Sequence, residues 1–70
     1  MTIQDRLRDM RLQNGYNLKT VADGIGVSLA SYSYIESGAR FPRVSTVAAL
    51  ADFYHVSVDW LLGRSEKKEV

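Results

Sequence analysis

Residues 18–37 constrain the fold of this chain most, because two short helical patterns there flank a glycine. Apolar residues first recur at the i, i+3, i+4 and i+7 spacing of one helix face: Leu18, Val21, Ala22 and Ile25. Gly26 follows, and glycine often ends a helix because it adopts the left-handed conformation without strain. Ser28, two residues later, is a favourable N-cap for a second helix. The pattern therefore predicts a helix-turn-helix whose second helix covers about 29–37.

The outer face of that second helix carries small or neutral side chains. Tyr32 and Ile35 form its apolar side, which leaves four residues on the other: Leu29, Ala30, Ser33 and Tyr34. A helix of this kind can lie in the major groove of DNA, where apolar groups contact thymine methyls and hydroxyls hydrogen-bond to base edges. These four are our candidates for base contacts. The alternative is that they are only surface residues of a small helix.

Size and composition limit what kind of protein this is. Its 70 residues suffice for one small domain, and a hydrophobic content of 46% is typical of globular proteins. The absence of cysteine excludes disulfides and thiolate-bound metals and fits a cytoplasmic location. No apolar run reaches the roughly 20 residues of a membrane span, and the N-terminus lacks the apolar segment of a signal peptide. We expect a cytoplasmic domain without membrane association.

Charge is distributed unevenly, although the net charge is only +1. Glu36 is the only acid between residues 24 and 51, whereas Arg40 and Arg43 follow the second helix of the pattern. Phosphate contact needs local positive charge rather than a basic average. The segment around that helix is therefore compatible with nucleic-acid binding.

The N-terminal helix is predicted to begin after Thr2, which with Asp5 forms an acidic variant of the capping box. Its core-facing stripe consists of Ile3, Leu7 and Met10. Its charged residues are expected mainly on the solvated side: Arg6, Arg8 and Asp9. In the next helix, Gly24 costs about 1 kcal/mol relative to alanine. Either that helix frays there, or another backbone approaches closely.

Two further helices are predicted after a loop that contains Pro42. The fourth helix covers about 44–54, and Arg43 at its N-cap position lacks a capping oxygen, which either weakens the cap or moves the start to Ser45. The fifth follows Ser57 and stops at Gly63. No segment shows the alternation of a strand. We therefore predict an all-α fold, with a compact five-helix domain over residues 1–63 and a charged C-terminal tail over 64–70.

Two blocks of sequence resemble the Cro/repressor-type helix-turn-helix family, often called the XRE family. They are A-D-G-I-G-V-S followed by I-E-S-G-A-R-F-P, and A-L-A-D-F-Y-H-V-S-V-D-W-L-L-G. The similarity extends from about Ile3 to Gly63. It implies a bacterial or phage transcriptional regulator that binds double-stranded DNA, chiefly a repressor acting as a homodimer on a short inverted-repeat operator. It implies no enzymatic activity.

The resemblance also suggests which residues contact DNA. Candidates for phosphate contacts are Asn17, Lys19, Ser28, Arg40 and Arg43. The family often has glutamine directly after Asn17, where this chain has Leu18, so Lys19 or Arg43 is expected to substitute for that contact. Many relatives carry Gln, Arg or Lys on the outer face of the second helix, and this chain carries none. Specificity is then expected from methyl contacts, DNA shape and half-site spacing.

Other family positions predict structural roles. Arg11 and Glu36 match two positions that commonly form a partly buried ion pair between the first and third helices. Candidates for a dimer interface are Phe53, Val58 and Trp60, and Trp60 is equally suited to closing the core. His55, the only histidine, is expected to be a polar turn residue and not a metal ligand. No metal or cofactor is expected.

One alternative function belongs to a different class. The uncharged second helix and Leu18 also suit a protein-interaction module, antitoxin-like or anti-repressor-binding, that retains this fold. An anti-repressor or another regulatory protein is a possible partner under either function. No pair of carboxylates and no nucleophile motif suggests catalysis.

Overall fold

The computed structural model describes residues 2–70, so Met1, where the predicted domain starts, lies outside the described residues. Within that range the chain forms five α-helices and no strand, which confirms the all-α prediction. They are α1 (Ile3–Gln13), α2 (Leu18–Ile25), α3 (Leu29–Ser37), α4 (Val44–Tyr54) and α5 (Val58–Leu61). The longest have 11 residues, and none of the helices within residues 2–70 has the length and hydropathy needed to cross a lipid bilayer.

Side-chain caps begin four of the helices, and those at Thr2, Ser28 and Ser57 are as predicted above. The hydroxyl of Thr2 accepts a hydrogen bond from the amide of Asp5, whose carboxylate accepts one from the amide of Thr2. Asn17, Ser28 and Ser57 each accept a hydrogen bond from the amide three residues later. Each cap satisfies an amide that the helix leaves without a partner, and contributes about 1 kcal/mol.

Both ends of α4 lack the residue types that favour a helix end. Arg43 is the N-cap and forms no side-chain hydrogen bond there, while the helix begins at Val44. Of the two alternatives, the weakened cap is therefore the one found, and the start does not move to Ser45. At the other end, His55 adopts the left-handed conformation with φ 56°. His55 is thus a turn residue, and this conformation costs a side chain with a Cβ about 1 kcal/mol.

The hydrophobic core takes side chains from all five helices. Its largest fully buried members are Tyr32, Leu7, Leu50, Leu61 and Val21. The helices make their main contacts in a closed ring, because α1 packs against α3 and α5, α2 packs against α3 and α4, and α4 packs against α5. As a result α3 is supported from two sides by α1 and α2.

A glycine is needed at position 24 in α2 because the ring of Phe53 occupies the space that a Cβ would fill. A Cβ added at Gly24 would lie only 2.8 Å from Cδ1 of Phe53. Phe53 in turn packs edge-on against Tyr54, with ring centroids 4.9 Å apart, and at a tilt against Tyr16, with centroids 5.6 Å apart. Neither helix fraying nor a neighbouring backbone explains the glycine. It provides the space into which Phe53 packs between α2 and α4.

Arg6 is buried, so its expected place on a solvated face is wrong. Its side chain lies against Trp60, with the guanidinium carbon 4.5 Å from the ring centroid, and it donates a hydrogen bond to the carbonyl of Trp60. Only 7% of Arg6 is exposed. The interaction joins the first helix to the last, whereas the neighbouring Arg8 is exposed as predicted.

The charged tail folds back over α5. The amide and the hydroxyl of Ser57 donate hydrogen bonds to the carbonyls of Lys68 and Lys67, at 2.8 and 3.0 Å. Lys68 also places its ammonium 5.1 Å from the centroid of the Trp60 ring, on which Arg6 packs as well. Trp60 is therefore half-buried by two cations and by the returning chain.

Candidate nucleic-acid interface

The turn between α2 and α3 sets the direction of the second helix. Gly26 ends α2 in the left-handed conformation, with φ 76° and ψ 32°. The amide of Val27 then donates to the carbonyl of Ala22 at 3.0 Å, and Ser28 caps α3. Only three residues separate the helices, so the turn holds α3 at a fixed angle to α2.

One side of α3 is buried and the other is open. Tyr32 is fully buried and Ile35 is 5% exposed, whereas Leu29 is 48% and Tyr34 is 51% exposed. Ala30 is exposed as well. All four candidate base-contact residues lie on this helix, with Ser33 half-buried at the edge of the open side nearer to α1. The structure therefore brings the predicted set together on one surface.

Arg40 is held against this surface by Tyr34. Its guanidinium carbon lies 5.4 Å from the centroid of the Tyr34 ring, and its amide donates to the carbonyl of Tyr34 at 3.1 Å. Arg40 and Arg43 also line a hollow of about 240 Å³ between α3 and the start of α4. A cation stacked on an aromatic ring keeps its charge available while its position is restricted. Tyr34 thus orients an arginine in addition to presenting its own hydroxyl.

The other candidate phosphate contacts already have partners within the chain. The side-chain oxygen of Asn17 accepts hydrogen bonds from the amide and the hydroxyl of Thr20, both at 2.8 Å. The hydroxyl of Ser28 accepts one from the amide of Ser31 at 3.1 Å. Lys19 forms an exposed ion pair with Asp23 at 2.8 Å. Asn17 and Ser28 therefore position helix N-termini, and the charge of Lys19 is partly neutralised.

Arg11 in α1 and Glu36 in α3 form a well-ordered ion pair. The Nε of Arg11 donates to both carboxylate oxygens at 2.9 and 3.0 Å, and Nη2 lies 2.8 Å from Oε1. The side chains are only 15% and 7% exposed. The hydrogen bond to Glu36 raises the pKa of Arg11 above its usual value. This ion pair links α3 to α1 and so restricts the sliding of α3 along its own axis.

The hydroxyls of two buried tyrosines lie near this ion pair. Burial raises the pKa of the Tyr32 hydroxyl far above its usual value, and the negative charge of Glu36 raises it further. The same two causes raise the pKa of Tyr54 to about 12. Both phenols therefore remain neutral in the folded protein over the physiological range.

Comparison with known proteins decides the family. Residues 7–61 match the family model HTH_3, described as helix-turn-helix. This chain belongs to the helix-turn-helix family HTH_3. The resemblance inferred from the two sequence blocks is thereby confirmed.

Helix-turn-helix regulators from bacteria and phages are among its relatives. Over 65 residues the chain is 37% identical to the transcriptional regulator AnsR of Bacillus subtilis, covering 93% of this chain and 56% of AnsR. Over 61 residues it is 39% identical to the cryptic phage CTXphi transcriptional repressor RstR of Vibrio cholerae, covering 87% of this chain and 55% of RstR. The chain thus spans about half the length of the curated relatives that it matches.

Two solved structures share the fold of this helix-turn-helix protein. The N-terminal DNA-binding domain of SinR from Bacillus subtilis superposes with a TM-score of 0.78 at 28% identity, covering 84% of this chain and 87% of that domain. The P22 c2 repressor, solved in complex with a synthetic operator, gives a TM-score of 0.85 at 23% identity, covering 93% and 98% of the two chains. These matches confirm the repressor-like five-helix architecture.

The three dimer-interface candidates of this family member lie on separate surfaces. Phe53 packs against Gly24, and Trp60 packs against Arg6. Val58 alone lies in an open apolar groove of about 260 Å³ between α4 and α5. The groove is lined by Phe41, Pro42, Val44, Val47, Ala48, Val58 and Leu62. Phe41 and Val44 are not among the predicted interface residues, although apolar side chains in a loop and at a helix start are a usable signal.

No cluster of three or more potential metal-ligating side chains occurs among residues 2–70.

On the opposite flank of α3 from Arg40, a second hollow of about 210 Å³ is lined by Arg8, Arg11, Leu18, Ser33, Glu36 and Ser37. Arg8 is predicted from sequence only to lie on a solvated face. Its proximity to Ser33 results from the packing of α1 on α3, which no local sequence signal reports.

Proposed function

We propose that this chain is a sequence-specific repressor that inserts α3 into the major groove of an inverted-repeat operator. The observation that carries the proposal is the open side of α3, which presents small and apolar side chains beside two arginines. Within this proposal, residues 1–63 are the DNA-binding domain and residues 64–70 are a charged tail. Repression would follow from occlusion of RNA polymerase in the bacterial cytoplasm.

The base contacts in this proposal are made mainly by methyl groups and hydroxyls. Leu29 and Ala30 contact thymine methyls, while Ser33 and Tyr34 hydrogen-bond to base edges. No side chain of this set can form the bidentate contact that arginine makes with guanine or glutamine with adenine. We therefore expect each base to contribute modestly, with further specificity from DNA shape and from the spacing of half-sites.

The phosphate contacts in this proposal are made chiefly by Arg40 and Arg43. Both are exposed next to α3, and Tyr34 orients the first of them. Asn17 and Ser28 contribute through the amides of the helix N-termini that they cap. Lys19 contributes less because Asp23 lies 2.8 Å from its ammonium. These contacts hold the protein in register on the duplex but do not distinguish bases.

In this proposal the protein binds DNA as a homodimer, and the two copies meet at the apolar groove that contains Val58. Val44 is 87%, Phe41 is 65% and Val58 is 39% exposed, so a second copy would cover side chains that now contact water. Phe41 lines both this groove and the hollow of Arg40 and Arg43. A dimer that uses this groove and inserts both α3 helices into one face of the duplex is expected to bind operator half-sites one helical turn, roughly 34 Å, apart.

The experiment that tests this function is in vitro selection of duplexes from a random library, followed by fluorescence-anisotropy titration. We expect the selected duplex to bind roughly 10³-fold more tightly than a mixed-sequence duplex, with a finite salt dependence. The double variant with Arg40→Ala and Arg43→Ala should remain folded and lose affinity for both. Equal and weak binding of the wild-type protein to both duplexes contradicts the proposal and favours the protein-interaction module.

A further inference from the structure

Arg8 has a free positive charge beside the open side of α3, and it has no role in the contacts proposed above. It projects from α1, is exposed, and forms no ion pair with any residue in the described range 2–70. Asp9 follows it by one residue and so faces a different side of the helix. Asp5 lies three residues before it on the same side, but its carboxylate accepts the hydrogen bond of the Thr2 amide in the capping box and forms no ion pair with Arg8. The guanidinium is therefore available to a ligand.

The hollow that Arg8 lines is suited to an anion. It contains two arginines and one glutamate, and Glu36 is already paired with Arg11 at 2.8 Å. The remaining positive charge is that of Arg8. Ser33 lines the same hollow and belongs to the set that we propose to contact bases. An anion bound here would lie directly next to the base-contacting side of α3.

A helix in the major groove has a phosphate backbone on each side, and the unpaired cations assigned so far serve only one side. Arg40 and Arg43 line the hollow between α3 and α4. On the flank formed by α1 and α2, Leu18 offers no hydrogen bond and Lys19 is paired with Asp23. Arg8 is the cation that remains on that flank.

We propose that Arg8 binds a backbone phosphate of the operator on the side of α3 that faces α1 and α2. The inference rests on the proposed DNA-binding function and specifies how α3 is held from both sides of the groove. Because the ligand is a phosphate, the contribution of Arg8 is the same for every DNA sequence.

The test compares Arg8→Ala with the matched control Arg64→Ala. Both variants lose one exposed arginine, but Arg64 lies in the tail and lines neither hollow beside α3. Each protein is titrated by fluorescence anisotropy with one duplex selected from a random library and one mixed-sequence duplex, at several salt concentrations. We expect Arg8→Ala to weaken binding to both duplexes roughly tenfold and to reduce the salt slope by about 0.9. Arg64→Ala should retain the wild-type slope, and Arg8→Lys should retain most of the affinity.

Three results overturn the inference. They are wild-type affinity and slope in Arg8→Ala, an equal loss in Arg64→Ala, and an Arg8→Lys variant as weak as Arg8→Ala. The first result excludes a contact between Arg8 and a phosphate. The second shows that the loss of affinity reflects only the overall charge of the protein, and the third shows that it reflects the packing of the Arg8 side chain and not its charge. Failure of the proposed function is separately visible, because the wild-type protein would then bind neither duplex tightly at any salt concentration.

Discussion

The guanidinium of Arg11 holds the carboxylate of Glu36 through three contacts of 2.8 to 3.0 Å, in a site where both side chains are nearly closed to solvent. Removing one member of such a pair leaves a buried charge without a partner. We expect Glu36→Gln to lower the free energy of unfolding by about 3–5 kcal/mol, measured by urea denaturation. Replacing both residues by apolar ones of similar size should recover most of this loss. A Glu36→Gln protein with the wild-type melting temperature would contradict the prediction.

The stability of the protein should fall in alkaline solution because of its two buried tyrosines. The usual pKa of tyrosine is 10.0, and the folded state raises that of Tyr54 to about 12 and that of Tyr32 further. Above pH 10 the unfolded chain therefore loses phenolic protons that the folded chain retains. Stability is fully present below that pH and should decrease above it by up to about 1.4 kcal/mol per pH unit for each tyrosine. Denaturation titrations between pH 8 and 12 measure this slope, and Tyr54→Phe should make it shallower.

Gly24→Ala should destabilise the protein, although the same change ordinarily stabilises a helix by about 1 kcal/mol. The added methyl would overlap the ring of Phe53, which its aromatic neighbours hold in place. Overpacking of this kind costs about 1–3 kcal/mol. Thermal melts of Gly24→Ala alone and combined with Phe53→Leu measure the effect, and the second change should relieve the overlap. A more stable single variant would show that the ring moves away freely.

Arg43→Asp should change stability and DNA binding in opposite directions. Arg43 is the N-cap of α4 without a side-chain hydrogen bond, so a carboxylate there should stabilise the fold by about 1 kcal/mol. The same substitution removes a proposed phosphate contact. Arg43→Ala is the control, since it removes the cation without adding a cap. Melting temperature and affinity for a selected duplex are measured on all three proteins, and an Arg43→Asp protein that binds as tightly as wild type removes Arg43 from the interface.

Replacing thymine by deoxyuridine in a selected operator should weaken binding without changing any hydrogen bond. The change deletes only the C5-methyl, which we propose Leu29 and Ala30 contact. Each contacted methyl is worth about 0.8 kcal/mol, or roughly a fourfold change in dissociation constant. The Leu29→Ala protein should be less sensitive to this base change at the thymine that Leu29 contacts. Unaltered binding at every substituted position would exclude readout through methyl groups.

Features that depend on neighbouring residues in the chain were predictable from sequence. Ser28 and Ser57 are caps because their hydroxyls reach an amide only three residues away, and Gly26 ends α2 through its own backbone freedom. These local signals define the helix-turn-helix and the starts of four helices, whereas α4 has neither a capping side chain nor a glycine at its ends and was predicted from the spacing of its apolar residues. The four side chains on the outer face of α3 followed from helical periodicity alone.

Features that depend on distant residues were not predictable in the same way. Arg6 is buried by Trp60, which is 54 positions away in sequence. A partial signal existed, because Arg6 lies three residues after Ile3 and four before Met10, at the edge of the apolar stripe. The space at Gly24 and the position of Arg8 beside Ser33 likewise arise only when helices pack. Helical spacing reports which face is apolar, but not which partner will cover a charged neighbour.

Trp60, the only tryptophan, makes the intrinsic fluorescence of the protein a probe of its structure. Trp60 is contacted by Arg6 of α1 and by Lys68 of the returning tail, and neither belongs to the helix-turn-helix. Nearby cations alter indole emission, so detachment of the last residues changes the emission wavelength and intensity. Unfolding of the core and release of the tail can therefore be followed without a label, even while α3 is occupied by DNA.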